Sequence, residues 1–229
     1  MKISSHFLLW VLIAANLLCS KESGAQNVVH LYTYKAENEA LPTPARKERR
    51  VVFIGDSITE GWSKRQDPEF FADGRYIGRG ISGEVTAQML LRFRSDVLAL
   101  QPAIVVIGGG TNDIALNLGD YNEDYTLGNI ISMAELAKMH KIKVVLASVL
   151  PASRFPWRPE VTDAADKIAS LNARIQAYAR AHKIPYVDYY SAMVYGEDRS
   201  LNPAYQRDAV HPNKAGYKVM EALVEPFLK

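Results

Sequence analysis

Four short stretches of this sequence carry residue types suited to acyl transfer, and they lie far apart along the chain. The first is Gly55-Asp56-Ser57-Ile58-Thr59. A serine hydroxyl is a weak nucleophile until a base takes its proton, and attack on a carbonyl needs donors aimed at the oxyanion that forms. Gly55 lets the chain turn sharply, which would put Ser57 at the start of a helix, where free backbone N–H groups point outward. A turn followed by a helix cap uses the same residues with no chemistry attached, so this stretch alone leaves both readings open. The second is Gly80-Ile81-Ser82-Gly83-Glu84, where a glycine can bring its N–H up to a ligand or simply turn the chain into the next helix. The third is Gly108-Gly109-Gly110-Thr111-Asn112-Asp113. Its glycines leave open space, and Asn112 offers an uncharged amide with two donor hydrogens, as an oxyanion site requires. It has neither the Gly-x-Gly-x-x-Gly order nor the Gly-Lys-Ser/Thr ending of a phosphate loop. An ordinary turn with Asn112 bonded to backbone is the alternative.

The fourth stretch is Asp208-Ala209-Val210-His211-Pro212. Among the five histidines, His6 and His30 precede the core, and His140 and His182 fall in the last turns of predicted helices, where a cation suits the negative end of the dipole. His211 differs because Asp208 stands three residues upstream, and one tight turn brings that carboxylate to Nδ1. Nε2 is then left free to face a serine. The competing reading is that Asp208 and His211 cap the final helix, a task Asn213 could perform without them.

The elements between these stretches tell where they must sit. Val51–Ile54, Ala103–Ile107, Val144–Val149 and Ile184–Val187 are continuous apolar runs suited to strands buried on both faces, and Tyr76-Ile77 begins a fifth. Helical spacing is predicted over Thr86–Leu100, Tyr125–His140, Thr162–His182 and Asn213–Leu228. Strands alternating with helices predict an α/β fold with a parallel sheet covered on both faces. In such sheets ligands bind beyond the carboxyl ends of the strands, and the first three stretches all follow predicted strands. The fourth precedes the last helix.

Composition bounds the remainder. With 229 residues, 48% hydrophobic and 23% charged, the chain suits one well-buried domain. A net charge of +2 gives no nucleic-acid footprint. The one dense basic run, Arg46-Lys47-Glu48-Arg49-Arg50, includes an acid and leads into the first strand. Lys2, the apolar stretch Phe7–Cys19 and the small residues Ser23-Gly24-Ala25 follow the plan of a secretory signal peptide. The expected division is therefore a signal peptide over 1–25, a surface leader over 26–49 and one domain over 50–229, in a secreted or periplasmic protein. The apolar stretch is short for a membrane span. Acylation of Cys19 as a lipoprotein is the alternative, although Leu18 is bulky for such a site. Cleavage after Ala25 leaves no cysteine, hence no disulfide and no thiolate chemistry.

Taken together, these four motifs resemble those of the GDSL, or SGNH, hydrolase superfamily, and the resemblance spans Val51 to the final helix. It implies a flavodoxin-like three-layer α/β/α sandwich, with Ser57 as nucleophile, His211 as general base and Asp208 orienting it. It also implies an oxyanion hole made by the N–H groups of Ser57 and Gly83 and the side chain of Asn112, with no metal or organic cofactor. One departure stands out: many members carry an asparagine two residues before the Gly-Ile-Ser-Gly stretch, and this chain has Gly78 there, followed by Arg79. No lid helix or long apolar segment for an acyl tunnel is evident, which favours a short acyl group. Export and polar loops suggest an O-acetylated carbohydrate as substrate. A lysophospholipase or thioesterase is the second reading, and a carbohydrate-binding protein without catalysis the third. Trp157, within Ser153–Pro159, would either wall the site and stack on a sugar or anchor its own loop.

Overall fold

The computed structural model describes residues 30–45 and 48–229. The expected signal segment, Cys19 and His6 lie outside the described residues, as do Arg46 and Lys47. Five strands form one parallel sheet in the order β2-β1-β3-β4-β5: β1 Val51–Gly55, β2 Tyr76–Gly80, β3 Ile104–Ile107, β4 Lys143–Ala147 and β5 Tyr186–Val187. Alternating side chains feed two separate cores, as a strand's twofold period requires. Val52, Ile54, Val105 and Ile107 point to one face and pack with Phe93, Met133 and Leu171. These three come from α3 (Thr86–Asp96), α5 (Glu123–Met139) and α6 (Ala164–Ala181). Val51, Phe53, Val106 and Val145 point to the other face, where they meet Trp62, Tyr217 and Met220. That layer includes α2 (Ser57–Gly61), α7 (Tyr189–Met193) and α8 (Lys214–Val224). The architecture is the expected α/β/α sandwich.

Several element ends differ from expectation for local reasons. The fourth run forms only the two-residue β5. Pro185 contributes its carbonyl to the Leu146 N–H at 2.9 Å but has no N–H to extend the ladder. Helix α3 stops at Asp96, where Val97 leaves helical geometry, and a short turn at Leu98–Leu100 carries the chain to Pro102. Pro226 likewise ends the last helix in a single tighter turn. A small antiparallel ladder, β6 (Val194–Tyr195) with β7 (Ser200–Leu201), lies between α7 and α8. No helix among the described residues is long and apolar enough to cross a membrane.

The described residues before β1 are mostly exposed, and one of them is docked against the sheet edge. The segment forms α1 (Lys35–Ala40), and Tyr34 is fully buried, with its hydroxyl donating to the Gly80 carbonyl at the end of β2. The Arg79 guanidinium lies 4.5 Å from the Tyr34 ring centroid, and its Nε donates to Asn38 Oδ1 at 2.8 Å. β2 is the edge of the sheet, and α1 covers it. Asn38 also donates to Asp96 Oδ1 at 2.7 Å, so Tyr34 and Asn38 together dock the segment.

Candidate active site

Ser57 sits at the first turn of α2, immediately beyond β1. A side chain at Gly55 would collide with Thr59 Oγ1 at 2.1 Å and the Gly108 carbonyl at 2.7 Å, so only glycine permits this turn. Asp56 caps α2, its Oδ1 accepting from the Ile58 N–H at 2.9 Å. At this first helical position the Ser57 N–H has no intrahelical acceptor.

Ser57 Oγ and His211 Nε2 are 2.9 Å apart. On the other side of the ring, Nδ1 donates to Asp208 Oδ1 at 2.8 Å, with Oδ2 at 3.0 Å. Oδ1 also accepts the His211 backbone N–H at 2.9 Å. Ala209 adopts φ +73 between them, a left-handed conformation that folds the loop tightly enough for one carboxylate to take both bonds. Partial burial alone would raise the Asp208 carboxyl, but hydrogen bonds from His211 and Val210 hold it below its usual value. With Asp208 ionised and Nδ1 donating to it, Nε2 is the acceptor that faces the Ser57 hydroxyl. The helix-cap alternative for this loop is answered by Asn213, whose Oδ1 accepts from the Gly216 N–H at 3.0 Å and caps α8. Tyr217 of α8 donates to the Ile58 carbonyl at 2.8 Å, which locks the helix after His211 to the helix that carries Ser57.

Gly83 and Asn112 line the same open cleft as Ser57 and His211, a space of about 500 Å³. Gly83 has φ +82. Asn112 belongs to a short helical turn, α4 (Thr111–Ile114), beyond β3. Its Nδ2 donates to the Glu84 carbonyl at 2.9 Å, and its Oδ1 accepts from Asn117 Nδ2 at 2.9 Å, which fixes the direction of the amide. One Nδ2 hydrogen is left for another acceptor. Asp113 accepts from the Thr86 N–H at 3.0 Å and its hydroxyl at 2.6 Å, and so ties this turn to α3.

Residues that sequence reasoning did not single out hold the Gly83 turn. Glu60 Oε2 accepts from the Ser82 N–H at 3.1 Å and from its hydroxyl. Asn117 Nδ2 reaches the Gly83 carbonyl at 3.2 Å. Behind the turn, fully buried Arg92 joins Glu84 at 2.6 Å, Asp96 at 3.0 Å and the Gly55 carbonyl at 3.0 Å, which links the end of β1 to the Gly83 loop. Gly78, the departure noted in the second motif, leaves no room for an asparagine, because a Cβ there would lie 2.3 Å from Ser63 Cβ. Glu60, Asn117 and Arg92 support the loop instead.

Trp157 stands at the wall of the cleft and is tied to a neighbouring loop. It borders the cleft at 40% exposure, its ring 6.2 Å from that of His211 at 30°, while its Nε1 donates to Asn117 Oδ1 at 3.1 Å. Buried Phe155 anchors the loop beneath it. His140 and His182 stand at the C-terminal ends of α5 and α6 as expected, His140 Nδ1 donating to the Leu136 carbonyl at 2.8 Å.

A family model described as the GDSL-like Lipase/Acylhydrolase family matches residues 53–219. The chain belongs to that family. Among solved structures, a GDSL-like lipase from Bacteroides thetaiotaomicron is 60% identical, covering 87% of this chain and 97% of its own, with a TM-score of 0.86. An acetylxylan esterase of Xylanibacter ruminicola is 24% identical across 83% of this chain, which spans only 45% of that protein's length. Esterase TesA of Pseudomonas aeruginosa is 27% identical over 82% of this chain and 92% of its own. Within this GDSL-like chain, the arrangement around Ser57 sets an imidazole nitrogen at hydrogen-bond distance from a hydroxyl, the geometry that general base chemistry requires.

One buried group beside Ser57 has a measurable consequence. Among the described residues Asp56 Oδ2 has no partner, and burial pushes the carboxyl up to about 6 against the Ile58 hydrogen bond that lowers it. The native state therefore holds this proton to higher pH than the unfolded chain does. The associated stability is present below the unfolded value of about 4 and is lost as pH rises through about 6, amounting to about 3 kcal/mol. Asp56→Asn keeps the cap acceptor and should remove that share of the pH dependence. Urea unfolding of both proteins across this window checks it, and equal pH slopes would refute it.

Proposed function

We propose that this protein is a serine esterase that hydrolyses short-chain acyl esters, with O-acetyl groups on carbohydrate as the natural class. The observation that carries the reading is the contact of 2.9 Å between Ser57 Oγ and His211 Nε2, with His211 Nδ1 bonded to Asp208 at 2.8 Å on its far side. Ser57 Oγ bonds to the ester carbonyl carbon while its proton passes to His211 Nε2. The negative charge that develops on the carbonyl oxygen is met by the N–H groups of Ser57 and Gly83 and by the free Nδ2 hydrogen of Asn112. Collapse breaks the bond to the alcohol oxygen, which leaves with the proton from His211. Water then gives its proton to His211 and attacks the acyl-enzyme, releasing the acid and restoring Ser57.

A short acyl group is favoured by the space available. The cleft at Ser57 is open. The small cavity beside it, between β1, β3 and β4 and lined in part by Ile58, Trp62, Leu150 and Met220, has a volume of about 40 Å³. That is room for roughly one or two waters rather than an extended chain. The likeness to an acetylxylan esterase supports the carbohydrate side. Rates on p-nitrophenyl esters of increasing length test this, with acetate expected to exceed octanoate about tenfold or more in kcat/KM, in line with a pocket that gains little from added methylenes. A preference for octanoate would turn the reading toward a lysophospholipase or thioesterase. Export after removal of residues 1–25 belongs to the same proposal, and N-terminal sequencing of the mature protein tests it.

A further inference from the structure

The cleft carries charge that acyl transfer itself does not use. Arg65, in the turn that continues α2, and Arg207, one residue before Asp208, both line it together with Ser57 and His211, and no aspartate or glutamate lines it with them. Each arginine has one neighbouring acid that it shares with another partner. Glu60 Oε2 forms an ion pair with Arg65 at 3.6 Å and also accepts from Ser82. Arg207 makes one long bond of 3.4 Å to Asp208 Oδ2, and that carboxylate is otherwise committed to His211. A guanidinium has five N–H donors, so most donors on both side chains face solvent. The two side chains are 51% and 45% exposed and accessible to a solute.

From this placement we infer that the site selects esters whose alcohol portion bears an anionic group, a carboxylate or a phosphate, held by Arg65 and Arg207 while the acyl carbonyl lies against Ser57. The inference rests on the esterase reading and narrows its substrate class. Planar guanidinium forks match both anions in bidentate fashion, and a cleft lined by one sign of charge concentrates the opposite one.

Three monoacetylated sugars of one ring configuration provide the test: a neutral methyl glucoside, the corresponding glucuronide and the corresponding 6-phosphate. At least one anionic ester should exceed the neutral one about tenfold in kcat/KM, since two partly exposed contacts together supply about one decade. The ratio should fall toward one in Arg65→Gln, in the Arg65→Gln/Arg207→Gln double variant, and in about 1 M salt, where the screening length is about 3 Å. A glucuronide ahead of the phosphate assigns a carboxylate substrate, and the reverse order assigns a phosphate; either result upholds the inference. Calorimetric binding of the same three sugars to Ser57→Ala reads the preference without turnover. Equal binding and a wild-type ratio near one, or a ratio that survives in the double variant, would overturn the inference. Turnover of p-nitrophenyl acetate in the same preparation reports separately on the esterase reading.

Discussion

Ser57→Ala is expected to lower turnover of p-nitrophenyl acetate by a factor on the order of 10⁴–10⁶ while leaving the protein folded. The Ser57 hydroxyl has one side-chain partner, His211 Nε2, so its removal strands no buried group. Unfolding free energy should change by no more than about 0.5 kcal/mol, the usual range for a substitution that disturbs no packing. Organophosphonate treatment followed by mass spectrometry should place a single adduct on Ser57 in the wild type and none in the variant. Turnover retained within a few fold, or an adduct on another serine, would remove Ser57 from the nucleophile's place and the esterase reading with it. The effect is large because the acyl-enzyme route needs an oxygen at this position, 2.9 Å from the imidazole.

Asn112→Ala should cost on the order of 10²–10³ in kcat, roughly 3–4 kcal/mol of transition-state stabilisation, with KM little changed. Its free hydrogen matters most once charge has developed on the carbonyl oxygen, so the loss falls on the chemical step. The substitution also strands the Glu84 carbonyl and one Asn117 donor, for which a stability loss of about 1–3 kcal/mol is expected. A domain of this size typically holds about 5–15 kcal/mol, so the variant stays folded and the two effects can be measured apart. Full activity in the folded variant would assign Asn112 to scaffolding alone.

The site's four stretches were legible in the sequence because each pairs a glycine or a turn with a polar residue at the end of an apolar run or the start of a helix. That pattern follows from strand geometry: residues such as Val52 and Ile54 must face one core while Val51 and Phe53 face the other. What escaped sequence reasoning was set by tertiary contact. Tyr34 carries no periodic signal, yet it fills the space over the edge strand. Asn117 looked like a polar residue between two leucines, and only the approach of Gly83 and Trp157 gives its amide three partners. Arg65 and Arg207 lie far apart along the chain and carry no motif, and only the fold brings them to one cleft. Asn213 shows the reverse case, in which the cap it could supply was the one it does supply, leaving His211 free to face Ser57.

The bond from Tyr217 to Ile58 joins the last helix to the first helix after β1. Any loosening of that last helix therefore bears directly on the helix that carries Ser57, so Tyr217→Phe should widen the spread of distances between Ser57 and His211 without touching either side chain.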